Sequence, residues 1–588
     1  MCGVFGYIGH RSNAALLVFE GLKRLEYRGY DSWGVVVVGR GKIYVKKKTG
    51  KIGGATVDEL PPGSLAIGHT RWATHGGVTE KNAHPHLDCT HTIAVIHNGI
   101  VENYESIQAE LVHAGHRFVS ETDTEIIAHL LEFYAHNMSF IEAFVKTFQR
   151  LEGLNAIVAI HHKERVLVAA KKGSPLVIGF GKKENFIASD PSALLPHTKE
   201  VYFLEDGQMA VLRDASVSVM ESASQKVVKF STQILDWDVS QTHKGEFHHF
   251  MLKEIYEQPQ VVLGIAGSGG EEVKRIVSLI RKTKDLYFVG CGSASYACLA
   301  GAYLFSKIAQ RRAHAIAGSE FLYHLDFINT KSVVVALSQS GETIDTLESV
   351  SYAKRKGAKI VALVNVLGSS LYRVADAKIL IGAGPEKAVA STKAFIGKIA
   401  HLILLAYALD KRVKEGQELL RKSAEVIREV LAEKNSDRIK KLAHRICGVN
   451  HIFILGRGLS YSASLECAMK IKEISYIHAE GLAAGELKHG TLALVEKGTP
   501  CIVLLPNDET YAATLAGAME IKARGGYIIG ISPKKEGVFD EYLPIADVGD
   551  ASMIPMVVTG QLLAYYLALE RGLDPDMPRN LAKSVTVR

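Results

Sequence analysis

The sequence lacks most features of secreted and fibrous proteins. Its 588 residues include seven cysteines, an odd number without a CxxC pair. This disfavours a disulfide framework and a cysteine-rich zinc site, and favours a reducing compartment, the cytoplasm. The opening residues MCGVFGYIGH have no basic segment and no long apolar core, so we expect no secretory signal. With 47% hydrophobic and 22% charged residues, the composition excludes collagen-like and disordered classes and is typical of a globular protein of several domains.

The chain also lacks blocks of like charge. Its net charge of +7 comes from 69 basic and 62 acidic residues spread over the whole length, which is a weak indication of anionic ligands and gives no pattern typical of nucleic-acid binding. One stretch, residues 551–569, carries no formal charge and is long enough to cross a membrane. Pro555 and Gly560 interrupt it and acidic residues flank it, so we predict a buried helix and no membrane span.

The first part of the chain contains short apolar runs with turn signals between them, such as TIAVIHNG, NAIVAIHH and RVLVAAKKG, and a few amphipathic helices. This pattern predicts a layered α+β domain. The polar stretch WDVSQTHK, residues 237–244, interrupts the periodicity and marks a boundary. We therefore expect a first domain over residues 1–240, a second over 241–410, and a third over 411–588 that includes connecting helices and the C-terminal tail.

After this boundary, apolar strand-like runs alternate with helical stretches, which predicts parallel sheets covered by helices. This region repeats itself: LYFVGCGSASYA at Leu286 resembles HIFILGRGLSYSA at His451, and LSQSGET at Leu337 matches LLPNDET at Leu504. Two similar doubly wound α/β halves follow, joined by helices in the charged segment 411–441. Such sheets bind ligands at the carboxyl ends of their strands, where the glycine turns of this repeat fall.

The turn SQSGET follows the strand-like run VVVAL and precedes a helical stretch. Its hydroxyls and backbone N–H groups at a helix N-terminus predict a phosphate site, although an ordinary helix cap remains the alternative. The second half has Pro506, Asn507 and Asp508 at the matching place, so we expect one phosphate site for the two halves. The other turn, GCGSAS, has Ser295 where a dinucleotide-binding turn has its third glycine, so no nucleotide cofactor is expected.

Cys2 is a candidate nucleophile because a small second residue ordinarily allows removal of Met1. The mature chain would then begin with a thiol beside an α-amine of pKa roughly 7.7–8.0, a nucleophile and a weak base in one residue. Such a pair suits attack on an amide carbonyl with ammonia as the leaving group. Taken alone, however, a cysteine at this position is more often a small buried hydrophobic residue.

Four further motifs follow Cys2 in order: RLEYRGYDSWG at Arg24, HTRWATHG at His69, HNGIVEN at His97 and ETDTE at Glu121. Together they resemble the N-terminal-nucleophile glutaminase domain of class II amidotransferases over roughly the first 230 residues. The resemblance implies a layered αββα fold. It also implies that Cys2 is the nucleophile and that the Asn98 side chain and the Gly99 N–H form the oxyanion hole.

The same resemblance implies a glutamine site. Arg71 would hold the α-carboxylate and Asp123 the α-ammonium group, while Trp72, Thr74 and His75 would line the pocket. From the residues alone, Asp123 could equally cap the helix that begins at EIIAHLLEF. His84 and His86 in AHPH resemble a metal pair but lack a third ligand, so we expect no metal and a structural role for these histidines.

Residues from about 250 to 588 resemble the paired sugar-isomerase (SIS) domains of the glucosamine-6-phosphate synthase family. The motifs that carry this resemblance are SQSGET, VASTKAF at Val389, LKHG at Leu487 and NLAKSVTV at Asn580. The resemblance implies that the following residues bind the sugar phosphate: Ser293, Ser338, Gln339, Ser340, Thr343, Val389 and Ser391. The family has a serine where this chain has Ala294, and whether Ser295 replaces it stays open.

The segment LECAMKIKEIS places Glu466, Lys470 and Glu473 on one face of a helix. From spacing alone this is most simply an exposed row of ion pairs. The resemblance instead implies that Glu473 moves a proton between carbons 1 and 2 of the sugar and that Lys470 acts on the neighbouring oxygen. It further implies that His489 opens the sugar ring and that Lys583 forms a Schiff base with the ketone.

Glutaminase and sugar-isomerase regions in this order match the same family across nearly the whole chain. The expected reaction is amination and isomerisation of D-fructose 6-phosphate to D-glucosamine 6-phosphate, the first step of hexosamine synthesis. L-Glutamine would supply ammonia through a channel gated by Trp72. No metal or organic cofactor, no nucleic acid and no membrane is implied, and a homodimer is expected. The alternatives are a related sugar-phosphate aminotransferase or deglycase, and a sugar-phosphate-binding regulator without catalysis.

Overall fold

The computed structural model describes residues 2–235, 237 and 243–586. By their internal contacts the residues form two compact units. The first consists of Met1–Thr242 together with Ala582–Arg588, and the second of His243–Leu581. The boundary predicted within residues 237–244 falls largely outside the described residues.

The first unit is built from antiparallel strands with a few helices. Its strands among the described residues are β1 (Gly3–Gly9), β2 (Ser32–Gly39), β3 (Lys42–Thr49), β4 (Leu65–Arg71), β5 (His86–Leu87), β6 (Ile93–Gly99), β7 (Asn155–His161), β8 (Leu167–Lys172), β9 (Val177–Gly181), β10 (Glu184–Ala188), β11 (Glu200–Phe203), β12 (Gln208–Leu212), β13 (Val217–Glu221) and β14 (Gln233–Ile234). Its helices are α1 (Ala14–Leu25), α2 (Tyr104–His113), α3 (Glu125–Ala135) and α4 (Phe140–Arg150), with short 3-10 turns at Glu26–Arg28 and Pro191–Ala193.

These strands form two stacked sheets. One has the order β14-β11-β9-β10-β1-β4-β2-β3 and the other β13-β12-β8-β7-β6-β5. Apolar residues of both sheets form a shared core that includes Val4 and Ile67 from the first sheet and Ile96 and Val158 from the second. Helix α1 covers the outer face of the first sheet, and α3 and α4 cover that of the second. Because both faces of the central strands are covered, those strands are apolar at almost every position. The predicted αββα layering is confirmed.

The second unit alternates helices and strands. Its helices are α5 (Phe250–Tyr256), α6 (Gln258–Ala266), α7 (Glu271–Lys282), α8 (Ser293–Lys307), α9 (Gly318–Phe321), α10 (Ile344–Arg355), α11 (Ser370–Val374), α12 (Lys393–Leu409), α13 (Val413–Leu431), α14 (Glu433–Ile446), α15 (Leu459–Ser475), α16 (Tyr511–Lys522) and α17 (Met553–Glu570). Its strands are β15 (Asp285–Gly290), β16 (His314–Ala317), β17 (Ser332–Ser338), β18 (Lys359–Val364), β19 (Ala377–Leu380), β20 (His451–Gly456), β21 (His478–Ala483), β22 (Pro500–Leu504), β23 (Tyr527–Ser532) and β24 (Glu541–Pro544). Short 3-10 helices span Leu322–Phe327, Glu486–His489, Thr491–Leu494 and Gly549–Ala551.

The strands of this unit form two parallel sheets with the same topology. Their orders are β16-β15-β17-β18-β19 and β21-β20-β22-β23-β24. The first turn of each half has the same backbone, with φ 57° and ψ −130° at Gly292 and φ 57° and ψ −126° at Gly458. Glycine adopts this positive φ without the steric cost that a Cβ imposes. The predicted repeat of two doubly wound halves is confirmed.

The uncharged stretch near the C-terminus forms helix α17. It is the one helix among the described residues with the length and hydropathy of a membrane span, and 89% of its apolar window is buried inside the protein. Gly560 allows close approach to α15, since a Cβ there would lie 2.3 Å from the Cys467 sulfur. The prediction of a buried helix is confirmed, and α17 fills the core that joins the two halves.

Candidate functional site

A small cavity lies in the first unit beside Cys2, at the start of strand β1. It is lined by Cys2, Arg71, Trp72, Thr74, His75, His84, His97, Asn98, Gly99, Thr122, Asp123, Thr124 and Thr586. All of the residues predicted for the nucleophile, the oxyanion hole and the glutamine site are in this set. They come from strand ends and loops far apart in sequence, which the two sheets bring together.

The Cys2 thiol lies at the base of this cavity among hydrogen-bond donors. The Trp72 N–H donates to Cys2 Sγ at 3.2 Å, and Asn98 Nδ2 donates to the Cys2 carbonyl oxygen at 2.9 Å. Burial raises the pKa of the Cys2 thiol, although the Trp72 N–H and the charge of Arg71 act in the opposite direction. The thiol is therefore largely protonated at neutral pH, and a base must remove its proton before it can attack a carbonyl. Met1 lies outside the described residues.

Asn98 and Gly99 end strand β6 beside Cys2. Asn98 Oδ1 lies 3.0 Å from His69 Nε2, which fixes the orientation of the amide and leaves its NH₂ group toward Cys2. Gly99 has φ +143°, and a Cβ there would lie 2.1 Å from the Leu154 carbonyl oxygen, so no larger residue fits. An amide NH₂ and a backbone N–H next to a thiol are suitable donors for a developing oxyanion.

Charges of opposite sign line the same cavity. Arg71, at the end of β4, donates to the carbonyl oxygens of Gly76 and Gly77 at 3.1 Å each, and also to that of His75. These bonds hold the loop after β4 against the guanidinium. The Asp123 carboxylate accepts the Val101 N–H at 2.8 Å. Arginine and carboxylate groups in one cavity match the α-carboxylate and α-ammonium groups of an amino acid.

Helix α3 begins after Thr124, and no side chain caps its N-terminus. Asp123 instead bonds to the loop after β6. The alternative of Asp123 as a helix cap is therefore wrong, and its carboxylate lies among the cavity residues.

Buried histidines surround the cavity. His69 stacks on His84 with ring centroids 4.1 Å apart, and His84 meets His86 edge to face at 4.8 Å. Burial lowers the pKa of His69 to about 3 and also lowers the pKa of His84, His86 and His97. Neutral imidazoles packed in this way support the expected structural role of the AHPH histidines.

Sequence reasoning did not select His97, Thr124 or Thr586. His97 Nδ1 lies 2.9 Å from Thr124 Oγ1 and its Nε2 lies 2.8 Å from Asn155 Oδ1, so His97 links β6 to α3 and β7. Its position just before Asn98 in the HNG motif was an available signal. Thr586 belongs to the C-terminal segment that packs with the first unit, and no local pattern identifies it.

In the second unit, Ser338 ends strand β17 and the turn that follows leads into α10. The hydroxyls of Ser338 and Thr343 lie 3.2 Å apart, the Gly341 N–H donates to Ser338 Oγ at 2.9 Å, and the Glu342 N–H donates to Ser340 Oγ at 3.1 Å. Three hydroxyls thus surround the N-terminus of a twelve-residue helix that no side chain caps. Gln339 lies in the same turn, where its carbonyl accepts the Asn365 N–H. This arrangement favours an anion such as a phosphate.

The matching turn of the second half is occupied by its own side chains. Asp508 Oδ1 accepts the Thr510 N–H at 2.8 Å, and Asn507 contacts both Asp547 and Lys534 at 3.0 Å. A carboxylate at the N-terminus of α16 repels a phosphate. This difference supports one phosphate site for the two halves.

The row on helix α15 is buried. Glu466 and Lys470 have no exposed side-chain surface, and Lys470 Nζ lies 2.7 Å from Glu473 Oε2 and 3.5 Å from Glu466 Oε1. Ser293 of the first half donates to Glu466 at 3.1 Å and accepts from Lys470 at 3.2 Å. The simplest interpretation from spacing, an exposed ion-pair row, is therefore wrong. Glu473 keeps 24% of its side-chain surface exposed and so remains accessible to a ligand.

Burial alone would lower the pKa of Lys470, but the charges of Glu466 and Glu473 raise it above its usual value. Burial raises the pKa of Glu466, and Lys470 opposes this. Ser293, predicted to contact the sugar phosphate, thus connects the first half to the charged row on α15.

The remaining predicted residues occupy separate positions. Val389 and Ser391 lie in the loop before α12, where the Val389 N–H donates to the Asp576 carbonyl and Ser391 Oγ donates to Glu386 at 3.2 Å. His489 is exposed at the end of a 3-10 helix. Lys583 belongs to the segment 582–588, which groups with the first unit, whereas the other predicted sugar residues belong to the second. Ser295 donates to the Gly292 carbonyl at 2.7 Å.

Comparison with known proteins assigns a family to both regions. A glutamine amidotransferase domain model matches residues 69–196, and an SIS domain model matches residues 279–408 and 446–571. The chain is 42% identical, over the full length of both proteins, to the glutamine–fructose-6-phosphate aminotransferase (isomerizing) of Caldanaerobacter subterraneus subsp. tengcongensis, and equally to that of Thermococcus kodakarensis. A solved C-terminal domain of the Francisella tularensis glucosamine-fructose-6-phosphate aminotransferase is 35% identical, covers 57% of this chain and 99% of its own, and superimposes with a TM-score of 0.54.

The two family models match the two regions into which the sequence motifs divide the chain. Identity at this level over the whole chain, with the domains in the same order, exceeds what a shared fold alone would give. The chain therefore belongs to the glutamine–fructose-6-phosphate aminotransferase (isomerizing) family.

Proposed function

We propose that this chain converts L-glutamine and D-fructose 6-phosphate into glutamate and D-glucosamine 6-phosphate. The observation that carries the proposal is the cavity in which Cys2, Asn98, Gly99, Arg71 and Asp123 meet. It combines a nucleophile, oxyanion donors and both charges needed for an amino acid. We assign the glutaminase to residues 1–240, the first SIS domain to 241–410, and the connecting helices, second SIS domain and tail to 411–588.

The glutaminase half-reaction begins when the Cys2 thiolate attacks the side-chain amide of glutamine. The α-amine of Cys2, freed by removal of Met1, takes the thiol proton and passes it to the departing ammonia. Asn98 Nδ2 and the Gly99 N–H stabilise the oxyanion, for which each donor contributes about 3–4 kcal/mol. Water then hydrolyses the thioester and releases glutamate. Arg71 and Asp123 orient the substrate by its α-carboxylate and α-ammonium groups.

The sugar half-reaction uses the second unit and Lys583. Ser338, Gln339, Ser340 and Thr343 hold the phosphate, and Val389, Ser391 and Ser293 contact the sugar. His489 opens the ring. The amine of Lys583 forms an imine with the ketone and releases water, and ammonia then replaces the lysine.

The isomerisation that completes the reaction uses the row on α15. Glu473 moves a proton from carbon 1 to carbon 2, the hydroxyl of carbon 1 gives its proton to the imine nitrogen, and Lys470 donates a hydrogen bond to that oxygen. The imine of fructose 6-phosphate thereby becomes the amine of glucosamine 6-phosphate. The water consumed by thioester hydrolysis balances the water released on imine formation, and the overall proton shift is redox-neutral. Trp72, beside the thiol, is the proposed gate for ammonia.

The decisive experiment separates the two half-reactions in the full-length chain. Cys2→Ala should reduce glutamine hydrolysis and glutamine-dependent hexosamine formation by at least roughly 10³-fold. Isomerisation of fructose 6-phosphate should remain, because it uses other residues. Cys447→Ala, which changes a thiol in the second unit, is the matched control. Normal glutamine turnover in Cys2→Ala would overturn the assignment, and the intact mass of the N-terminus tests the removal of Met1.

Lys583→Arg tests imine formation, since arginine keeps the charge but does not readily lose a proton to attack a carbonyl. Borohydride should trap labelled fructose 6-phosphate on the parent chain and not on this variant. Equal trapping on both would exclude Lys583 as the imine-forming residue.

We also propose a cytoplasmic homodimer in which the exposed His489 serves the partner's sugar site. Mixing His489→Ala chains with Glu473→Gln chains should restore activity, because one site of each mixed dimer would hold both residues. A monomer in light scattering, or mixtures no more active than the separate variants, would contradict this arrangement.

A further inference from the structure

Four metal-ligating side chains converge on one point of the first unit, among residues that the glutaminase reaction does not use. They are Cys89, His116, His129 and Glu132. Cys89 follows β5 in the turn to β6, His116 lies in the loop after α2, and His129 and Glu132 stand one turn apart on α3. Each directs one ligand atom inward, and all four atoms lie within 4.8 Å of one another.

The distances between these atoms fit a tetrahedral metal centre. Cys89 Sγ lies 3.4 Å from His129 Nδ1 and 3.7 Å from His116 Nδ1. Glu132 Oε2 lies 3.0 Å from His116 Nδ1 and 3.5 Å from His129 Nδ1. Ligands at the usual zinc bond lengths stand about 3.3–3.6 Å apart at tetrahedral angles. The four distances bracket this range and all ligand atoms lie within 4.8 Å of one another, so small shifts of the side chains would coordinate a zinc ion.

The groups around these ligands are those that a metal site requires. His129 Nε2 is buried and makes no hydrogen bond to a described residue, but Glu125 Oε1 lies 3.5 Å away, which places a carboxylate behind the ring with Nδ1 toward the centre. The Arg117 N–H approaches Cys89 Sγ at 3.5 Å, and the Cys89 N–H donates to Glu132 at 3.1 Å. Glu125 is itself fixed by the Ser120 N–H and hydroxyl at 2.7 and 2.6 Å.

One atom could satisfy the whole cluster. The Cys89 sulfur and the Glu132 carboxylate each approach both imidazoles, at 3.0–3.7 Å. A divalent cation among them would bind all four ligand atoms at once, and one thiolate and one carboxylate would neutralise its charge.

We propose that Cys89, His116, His129 and Glu132 bind a structural zinc ion. Four protein ligands leave no open position, which distinguishes a structural from a catalytic site, and the sulfur and imidazole ligands favour zinc over magnesium or calcium. The ion joins the β5–β6 turn, the loop after α2 and helix α3. That loop continues to Thr122 and Asp123 of the Cys2 cavity, so the zinc site restrains one wall of the glutamine pocket.

Metal content of the untagged full-length chain is the first test. The purified protein should contain about one zinc per chain by mass spectrometry, and Cys89→Ser and His116→Ala should lose it. Cys89 is exposed and His116 lies in a loop outside the helices and strands, so these variants should fold. Matched controls are Cys447→Ser, another thiol, and His136→Ala, an exposed histidine at the end of α3. Both controls should keep the zinc.

Cobalt provides a readout that does not depend on metal acquired during expression. Chelator-treated chain should bind one equivalent of Co²⁺ with a thiolate-to-metal charge-transfer band and the visible absorption of a tetrahedral ion. Cys89→Ser should lack the charge-transfer band, and Glu125→Gln should bind the metal roughly 10–100-fold more weakly. Chelation should also lower the thermal midpoint of the parent chain and leave that of Cys89→Ser unchanged.

Two results would overturn the proposal. One is a parent chain that has no more zinc than Cys89→Ser and gives no charge-transfer band with cobalt. The other is a charge-transfer band that persists in Cys89→Ser, which would assign the thiolate to a different cysteine.

Discussion

The two halves of the second unit share one topology but have divided its chemistry. In the first half the turn after β17 presents the hydroxyls of Ser338, Ser340 and Thr343 at a helix N-terminus. In the second half the turn after β22 is occupied by Asp508 and Asn507. On the helix that follows the glycine turn, the polar groups are in the other half. Helix α15 of the second half carries the charged row, whereas α8 of the first half carries mainly small or apolar residues.

This comparison shows how a repeat becomes a single site. Both halves have the same glycine turn. At the helix after it, and at the turn after β17 or β22, only one of the two halves carries the functional polar groups. Ser293 of the first half bonds to Glu466 and Lys470 of the second, so the two specialisations meet. We infer that the first half binds the phosphate and the second reacts with the sugar.

Exchanging the proposed proton-transfer group should have the largest effect. Glu473→Gln should reduce glucosamine 6-phosphate formation by roughly 10²–10⁴-fold while leaving glutamine hydrolysis in place. Lys307 stands at the matching position of α8 and makes exposed ion pairs with Glu509 and Asp550. Such pairs contribute about 0.2–1 kcal/mol, so Lys307→Gln should leave synthesis nearly unchanged. Comparable losses in the two variants, measured by product formation, would remove the functional distinction between α8 and α15.

Lys470→Met should lower the free energy of unfolding of the chain by about 3–5 kcal/mol, because it leaves Glu466 and Glu473 without their buried cation. The deficit should depend on pH. Burial holds the pKa of Glu466 above its value in the unfolded chain, so the folded state binds a proton more readily. As pH falls through the folded pKa toward the unfolded pKa, Glu466 becomes neutral. The loss of unfolding free energy in Lys470→Met should therefore shrink. Urea titrations at pH 8 and pH 5 measure both effects. A deficit that grew on acidification would contradict this account of the row.

The phosphate turn should respond to loss of its hydroxyls. Ser338→Ala and Ser340→Ala should each weaken binding of fructose 6-phosphate by about 1.5–3 kcal/mol, the contribution of a hydrogen bond to a charged oxygen. Asn507→Ala, in the matching turn, removes the contacts to Asp547 and Lys534 and should leave sugar affinity unchanged. Calorimetric titration of the three variants measures the difference. Equal weakening in both turns would mean that the phosphate site has been assigned to the wrong half.

The glycine turns should behave alike, because they are the part that the halves still share. Gly292→Ala and Gly458→Ala should each cost about 1–3 kcal/mol of stability, since both positions have φ 57° and a ψ that residues with a Cβ rarely adopt. The second variant should be slightly worse, because its Cβ would lie 3.2 Å from Thr510 Cγ2. Thermal unfolding of the two variants side by side tests the symmetry, and a strongly destabilising effect at only one position would show that the turns are not equivalent.

Much of the fold was predictable because its signals are local. The apolar runs LYFVG, SVVVALS and HIFILG became β15, β17 and β20, and the uncharged stretch 551–569 became buried helix α17. The offset between the repeated motifs predicted two equal sheets. The residues predicted for the nucleophile, the oxyanion hole and the glutamine site were also found in advance to lie together, since each is in a motif that resembles one in the family.

Other features depend on which distant residues meet. The burial of Glu466 and Lys470 was not predictable from helical spacing, because an i,i+4 row has the same pattern on a solvent face and in a core. His129 and Glu132 are an i,i+3 pair, but Cys89 lies 40 residues before His129 and His116 lies in a separate loop, so no spacing rule indicates that the four converge. Thr586 could not be predicted either, because it lines the Cys2 cavity although the other lining residues lie near the start of the chain.

The sequence by itself therefore determined the order of the domains and the repeat, and it predicted Cys2 as the nucleophile and the turn after β17 as the phosphate site, because residue type and near-neighbour pattern carry that information. The tertiary structure alone decided which side chains lose contact with water and which ones meet. Those two properties set the ionic row on α15, the neutral histidines around Cys2 and the four-ligand cluster at Cys89. They arise when sheets and helices pack, since burial changes the energy of a charge and packing brings residues from distant segments within bonding distance.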